Sequence, residues 1–153
     1  MTSPIIRPLR DDEHEAAAVL LHHCLQATFR GMIPAAALRA LTLDRAHRRI
    51  KANPATTRVI EQNGVLAGIG QWHEDEISIV YIHPDHQQQG LGRLLLTALI
   101  DGARGEGHAH PWLICLEGNT AARAFYSRLG GREQADAPVV LNGVPLPHVK
   151  VVF

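Results

Sequence analysis

The sequence predicts a mixed α/β (α+β) fold, with a mixed central sheet of six to seven strands flanked by about four helices. Three observations lead there. Two β-branched runs, Arg58 to Glu61 and Val65 to Trp72, are joined by Asn63-Gly64, the pair that favours a type I′ hairpin turn. A third run, Ile77 to Ile82, passes through a polar turn into a helix and returns as Trp112 to Leu116. Helical patterns stand before the hairpin and after the last of these strands, so helices cover the sheet.

In chain order, Ile5 and Ile6 before Arg7-Pro8 form a short first strand, and Asp11 or Asp12 is placed to cap the helix that follows. Ala17, Leu20, Leu21, Cys24 and Leu25 give that helix one apolar face, and Gly31 and Pro34 break it. Pro34 suits the start of a second helix through Ala37, Leu38 and Leu41. The pattern carries on more weakly to about Lys51, and Asn53-Pro54 ends it. Gly68 and Gly70 weaken the return strand of the hairpin and signal a bulge or the close approach of another element. Glu74-Asp75 turns the chain into the central strand, which Pro84 ends because it has no N–H for a ladder. Leu91, Leu94, Leu95, Ala98 and Leu99 then recur on one face of a helix. Gly102 to Gly107 is a loop, and Trp112 to Leu116 is a short buried strand. Asn119-Thr120 opens a helix with Ala122, Phe125, Tyr126 and Leu129 inward and Gly130 just past its end. There is room for a strand near Arg132 to Gln134, and a proline-rich loop leads to a last strand over Val149 to Phe153. No repeat or linker interrupts this order, so residues 1–153 are expected to form a single domain.

Composition narrows the function. Fifteen basic residues balance fifteen acidic ones, which argues against nucleic-acid or membrane binding driven by charge. No apolar run has the length of a membrane span, and the N-terminal MTSPIIRPLRDDEHEAA lacks the apolar core of a secretory signal, so a cytoplasmic location is expected. Cys24 and Cys115 lie far apart on regular elements and are expected to be buried free thiols. The closest groupings of the ten histidines are His22-His23, His83 with His86, and His108 with His110. None has the i, i+4 spacing of a helical zinc site, and no metal is expected.

The chemistry concentrates where the central strand meets its helix. Asp85 to Gln89 form a polar loop closed by Gly90-Leu91-Gly92, directly before a helix N-terminus. Unpaired N–H groups and the positive end of the helix dipole make such a turn an anion site, and Arg93 adds a cation in the first turn. Glycines after a strand also make ordinary turns. The spacing Pro84-x-x-Gln87-x-x-Gly90-x-Gly92 resembles the pyrophosphate-binding motif of the GCN5-related N-acetyltransferases (GNAT), enzymes that use acetyl-coenzyme A. It fits neither the P-loop nor a Rossmann turn. A second stretch, Asn119-x-x-Ala122-x-x-Phe125-Tyr126-x-x-Leu129-Gly130, is similar to the pattern that the family carries on its later helix. The predicted element order is also the order of the GNAT fold.

The resemblance implies an N-acetyltransferase with acetyl-CoA as donor and a small-molecule amine or amino acid as acceptor. It implies that Val80, Tyr81 and Ile82 pair with the thioester arm as an extra strand would, their N–H groups steadying the oxyanion. Gln87, Gln88, Gln89, Gly90, Leu91, Gly92 and Arg93 would hold the pyrophosphate, and Asn119 would bond the pantetheine arm unless it is simply a helix cap. Tyr126 would be the general acid for the departing thiolate, its phenol being protonated at neutral pH. An alkyl ammonium must lose a proton before it attacks. Glu76, directly or through water, is a candidate base or else a solvated turn acid beside Glu74 and Asp75; Glu117 is a weaker candidate. Arg30 is either a carboxylate anchor or a surface cation, and Trp72 lines either the pocket or the core.

Two departures from the family stand out. Gly131 occupies the place of a usual aromatic, which implies a looser anchor for the next strand. Ile114 stands where members that acetylate protein N-termini can carry a catalytic Glu. Acetylation of a peptide N-terminus or lysine, and an acyl-CoA-binding sensor without transfer, remain alternatives. Similar proteins often dimerise, so a homodimer is open.

Overall fold

Asn63 and Gly64 both sit at positive φ, 53° and 78°, as a type I′ turn requires. The structure, a computed structural model, describes residues 2–153. It begins with β1 (Ile5–Pro8), α1 (His14–Phe29), a single turn α2 (Ala35–Leu38) and α3 (Leu43–Ala52). The hairpin of β2 (Thr57–Gln62) and β3 (Val65–His73) follows, then β4 (Glu76–Ile82), α4 (Leu91–Gly105), β5 (Trp112–Leu116) and α5 (Thr120–Arg128). The chain closes with β6 (Arg132–Ala135), β7 (Val139–Leu141), β8 (Val144–Leu146) and β9 (His148–Val152). Seven strands make one sheet in the order β1-β2-β3-β4-β5-β9-β6, and β7 and β8 form a separate hairpin. Every pair in the large sheet is antiparallel except β4–β5. The predicted mixed sheet between helices is therefore present.

Each face of the sheet has its own apolar layer. On one side α1 and α3 bring Leu21, Leu25 and Ile50 against Ile69 and Ile79. On the other, α4 packs Leu95, Leu99 and Ala103 near Ile60, Ala67 and Trp72. Leu94, expected on the apolar face of α4, is 47% exposed, because the buried stripe runs through Leu96 and Ile100 instead. The close approach foreseen at the glycines of β3 is real. A Cβ on Gly70 would come within 2.5 Å of Leu99 on α4. α4 runs on to Gly105, so most of the loop expected from Gly102 to Gly107 is helix, and it offers Gly102 to the Trp72 ring, where a Cβ would again come within 2.5 Å. Trp72 donates to Glu106 Oε2 at 3.0 Å and is 3% exposed, so it belongs to the core.

Four local expectations are corrected. Neither Asp11 nor Asp12 caps α1; they lie in a 3-10 turn with Glu13, and Glu13 accepts from the Arg10 N–H at 2.9 Å. Both Glu13 oxygens also accept from Arg7, at 2.7 and 2.8 Å, and Arg7 Nε reaches Glu61 at 3.0 Å. One cation thus joins β1, β2 and the entry to α1. The single helix expected from Pro34 to about Lys51 is broken into α2 and α3. Thr42 caps α3 by accepting from the Arg45 N–H, and Gln26 donates to the Leu41 carbonyl that the break would orphan. Pro138, Pro145 and Pro147 argue for an irregular tail, yet Asn142 and Gly143, at φ 50° and 75°, turn a hairpin there. Gly131 does not loosen β6, which pairs with β9 from Arg132 to Ala135. A Cβ at Gly131 would come within 2.5 Å of Val151 and 3.0 Å of Phe153, so side chains from β9 and the C-terminus fill the space that an aromatic would take.

Two outcomes are expected. Hydrogen bonds from Arg7 hold the Glu13 carboxyl down from 4.5 to about 2. A depressed carboxyl stabilises the fold above its unfolded value and loses that contribution as pH falls through the folded one. The stability gap between wild type and Glu13→Gln, measured by urea unfolding, should therefore be constant above about pH 5 and shrink as pH falls toward 2; a gap independent of pH would break the assignment. Gly102→Ala should cost about 1–3 kcal/mol through overpacking against Trp72, read as a lower melting temperature, whereas an unchanged or raised value would show that the ring yields freely.

Candidate active site

A parallel pair leaves an exposed ladder wherever its strands separate. β4 and β5 are paired only at Glu76 and Trp112, with the Trp112 N–H on the Asp75 carbonyl at 2.9 Å. Beyond that point they part, and a cleft of about 670 Å³ opens at their C-terminal ends. Val80, Tyr81 and Ile82 form one wall; Asn119, Phe125 and Tyr126 form the other. Ala27 and Thr28 from the end of α1 also reach it. Tyr81 packs with the α1/α3 layer while Val80 and Ile82 pack with the α4/α5 layer, so the opening communicates with both faces of the sheet.

The turn after β4 is built for an anion. Gln88 at φ 63° and Gly90 at φ 79° both take the left-handed conformation, which aims neighbouring N–H groups into one concavity. Gly90 is the N-cap of α4, and the first helical bond runs from Leu94 to its carbonyl at 3.3 Å. The N–H groups from Gln88 to Arg93 meet no acceptor among the described residues. The α4 dipole adds to their positive potential. Gln88, Gly90, Leu91, Gly92 and Arg93 all line the cleft; Gln89 does not. Gln87 lines it too, but its amide is already engaged, donating to the Ile82 carbonyl at 3.1 Å and tying the turn to the end of β4.

Asn119 fulfils its capping role without exhausting its amide. Its Oδ1 accepts from the Ala122 N–H at 3.2 Å, which leaves Nδ2 without an acceptor among the described residues. Tyr126 sits edge-on to Phe153 with ring centroids 6.3 Å apart. Burial pushes its phenol well above the ordinary value of 10.0, with smaller contributions from Tyr81 and Cys115. Tyr81 is raised by burial as well. Cys24 and Cys115 are buried free thiols, pushed up by burial to about 12 and about 11.

Glu76 is not brought to this cleft. It begins β4 where the strands still touch, opposite His73 and Trp112, about 13 Å of extended chain before Val80. Glu117 is exposed and does not line the cleft either; its carbonyl accepts from Arg123 at 2.8 Å. Among the described residues, no Asp or Glu lines the opening. Arg30 is exposed and lies outside the lining. His86 and Arg128 do line it and were not expected. In sequence, Arg128 is only a cation in the last turn of a helix, where it complements the dipole. No group of three or more His, Cys, Asp or Glu among the described residues is arranged to hold a metal. No helix among the described residues is long and apolar enough to cross a membrane.

The sequence profile of the acetyltransferase (GNAT) family matches residues 18–131. The chain is similar to an L-amino acid N-acyltransferase of Escherichia coli strain K12, 42% identical over 93 residues, or 54% of this chain and 53% of the relative. It is likewise similar to the [ribosomal protein bS18]-alanine N-acetyltransferase of the same strain, 42% identical over 78 residues, or 48% of this chain and 53% of the relative. The matched region thus spans about half the length of these curated relatives. Among solved structures, a Salmonella typhimurium protein described as a putative acetyltransferase with its cofactor acetyl-CoA superposes with a TM-score of 0.77 at 25% identity, covering 99% of this chain and 94% of that one. The family profile spans both walls of the cleft and the turn between them, and on that match the chain belongs to the acetyltransferase (GNAT) family.

Proposed function

We propose that this protein is an acetyl-CoA-dependent N-acetyltransferase that acts on the primary amine of a small molecule or amino acid. The observation that carries the proposal is the parting of β4 from β5, which gathers an unpaired strand edge, a concavity of free N–H groups and a protonated phenol around one cleft. The cofactor bound in the similar Salmonella structure and the activities of the curated relatives support it.

The residues fit acetyl-CoA, which supplies an acetyl group activated as a thioester. Val80 and Ile82 offer backbone N–H and C=O groups on the free edge of β4 to a pantetheine arm, while Tyr81 between them turns its own toward β3. The turn from Gln88 to Arg93 receives the pyrophosphate, and Asn119 Nδ2 donates to the arm from the opposite wall. Tyr126 holds a proton at its hydroxyl and gives it to the sulfur as the C–S bond breaks. The acceptor nitrogen forms the new amide bond and releases its own proton to water, since no carboxylate lines the opening. The alternative acceptor, a peptide α-amine, rests on the similarity to the bS18-alanine enzyme.

Three measurements test this. Acetyl-CoA should raise the melting temperature by linkage. Gly92→Leu should abolish that rise while leaving the helix intact, because a Cβ at Gly92 would come within 3.5 Å of Phe125 and 3.8 Å of Ile82, between the two walls. No rise in wild type at millimolar acetyl-CoA would end the proposal. Tyr126→Phe should lower thiol release about 10²-fold in kcat with little change in KM for acetyl-CoA; an unchanged rate removes Tyr126 from the chemistry. The rate should also climb with pH as the acceptor amine loses its proton, with no fall below about pH 10, because the Tyr126 phenol titrates above that value.

A further inference from the structure

Two arginines on α3 have no carboxylate partner among the described residues. Arg45 and Arg49 are one turn apart, on the same side of the helix. Arg49 donates to the Ser78 carbonyl of β4. Arg45 is half-buried, and its Nε is closed off from solvent with no acceptor among the described residues. Burial, followed by the charges of Arg49 and Arg48, pushes the Arg45 guanidinium below its ordinary value, as a cation without a counter-charge must be. Neighbouring acids are committed elsewhere: Asp44 pairs with Arg48, and Glu15 on α1 pairs with His47. Glu76 makes no ion pair with either arginine.

The position of the pair relates it to the cleft. Gln71 of β3 donates to the carbonyls of Arg49, Ile50 and Asn53, which fixes the C-terminal end of α3 over Gln71 and its β4 neighbour Ile79. α3 lies antiparallel to α1, with Gln26 beside Leu41 and Glu15 beside His47. The end of α1 carries Phe29, edge-on to Tyr81 with ring centroids 6.3 Å apart. Neither arginine is among the residues that line the cleft; both stand behind Tyr81, which does and whose phenol feels the charge of Arg49, with Arg45 one turn, about 5 Å, closer to the end of β4. Both face the side of the sheet opposite α4 and α5, while the anion-binding turn leads directly into α4. A donor arm held by that turn leaves this other mouth to the acceptor.

We propose that Arg45 and Arg49 bind the carboxylate of the acceptor, so that the substrate is a free amino acid whose amine and carboxylate share one carbon. Guanidinium groups in such a pair suit bidentate recognition of a planar carboxylate. This inference rests on the acetyltransferase reading and selects between its two acceptor classes, because a peptide α-amine carries an amide where the carboxylate would be.

The test measures acetyl-CoA-dependent thiol release with a panel of L-amino acids against the matching L-amino acid amides. Wild type should prefer at least one acid over its amide by tenfold or more in kcat/KM. Arg45→Met should erase that preference by raising KM for the acid tenfold or more, leaving the amide rate and the acetyl-CoA melting shift unchanged. Amides or short peptides turned over as well as or better than acids overturn the inference while the acetyltransferase function stands, and this comparison in wild type needs no variant. A preference for acids that survives in folded Arg45→Met and Arg49→Met also overturns it. Absence of both a melting shift and thiol release defeats the parent reading instead.

Discussion

Everything at the functional end of this molecule follows from two strands that stop pairing. β4 and β5 meet at Glu76 and Trp112 and then diverge. A buried edge without a partner carries unpaired N–H and C=O groups, each costly to leave unmet. The fold tolerates that cost because the gap opens to solvent and each flank is secured independently. β4 is held by β3 along its length, and β5 by β9 over five residue pairs from Trp112 to Leu116. The sheet is therefore two firm halves joined at a narrow hinge of pairing.

The walls of the cleft show how few side chains are free to be purely functional. Gln87 ties the turn to the end of β4 and Asn119 caps α5, yet both also line the opening. Functional and structural explanations of such residues are not rivals. Asn119 has an oxygen for the helix and a nitrogen left over. Tyr126 packs as an aromatic through its ring and keeps its hydroxyl without a protein partner.

Local chemistry was legible in the chain. Asn63-Gly64 announces its turn because only a few residues accept positive φ, and the leucines of α4 announce a buried face by their spacing. The turn from Gln87 to Arg93 could be recognised because its glycines and its helix start are contiguous. What escaped was non-local. The break before α3 depends on Thr42 and on Gln26, sixteen residues earlier, neither of which signals a stop in its own neighbourhood. The role of Glu76 could not be judged without knowing which end of β4 lies beside the opening. Arg45 and Arg49 look like ordinary surface cations until the sheet is folded under them.

The bond from Asn142 to the Ala36 carbonyl, 2.8 Å long, joins residues 106 positions apart. It fastens the β7–β8 hairpin to the short helix after α1, with Leu141, Val144 and Leu146 completing the same apolar layer. By contrast, β4, its turn, α4, β5 and α5 are consecutive in the chain. During synthesis, the elements around the anion-binding turn can therefore meet early, but β5 gains a partner along its length only when β9 arrives. Both layers are completed only when the last strands close a long loop, with Leu146 on the α1/α3 side and Val151 and Phe153 on the α4/α5 side, a slower step on entropic grounds. A chain cut short after α5 would therefore lose the strand that holds β5 as well as the side chains that finish both layers, and with them the second wall of the cleft.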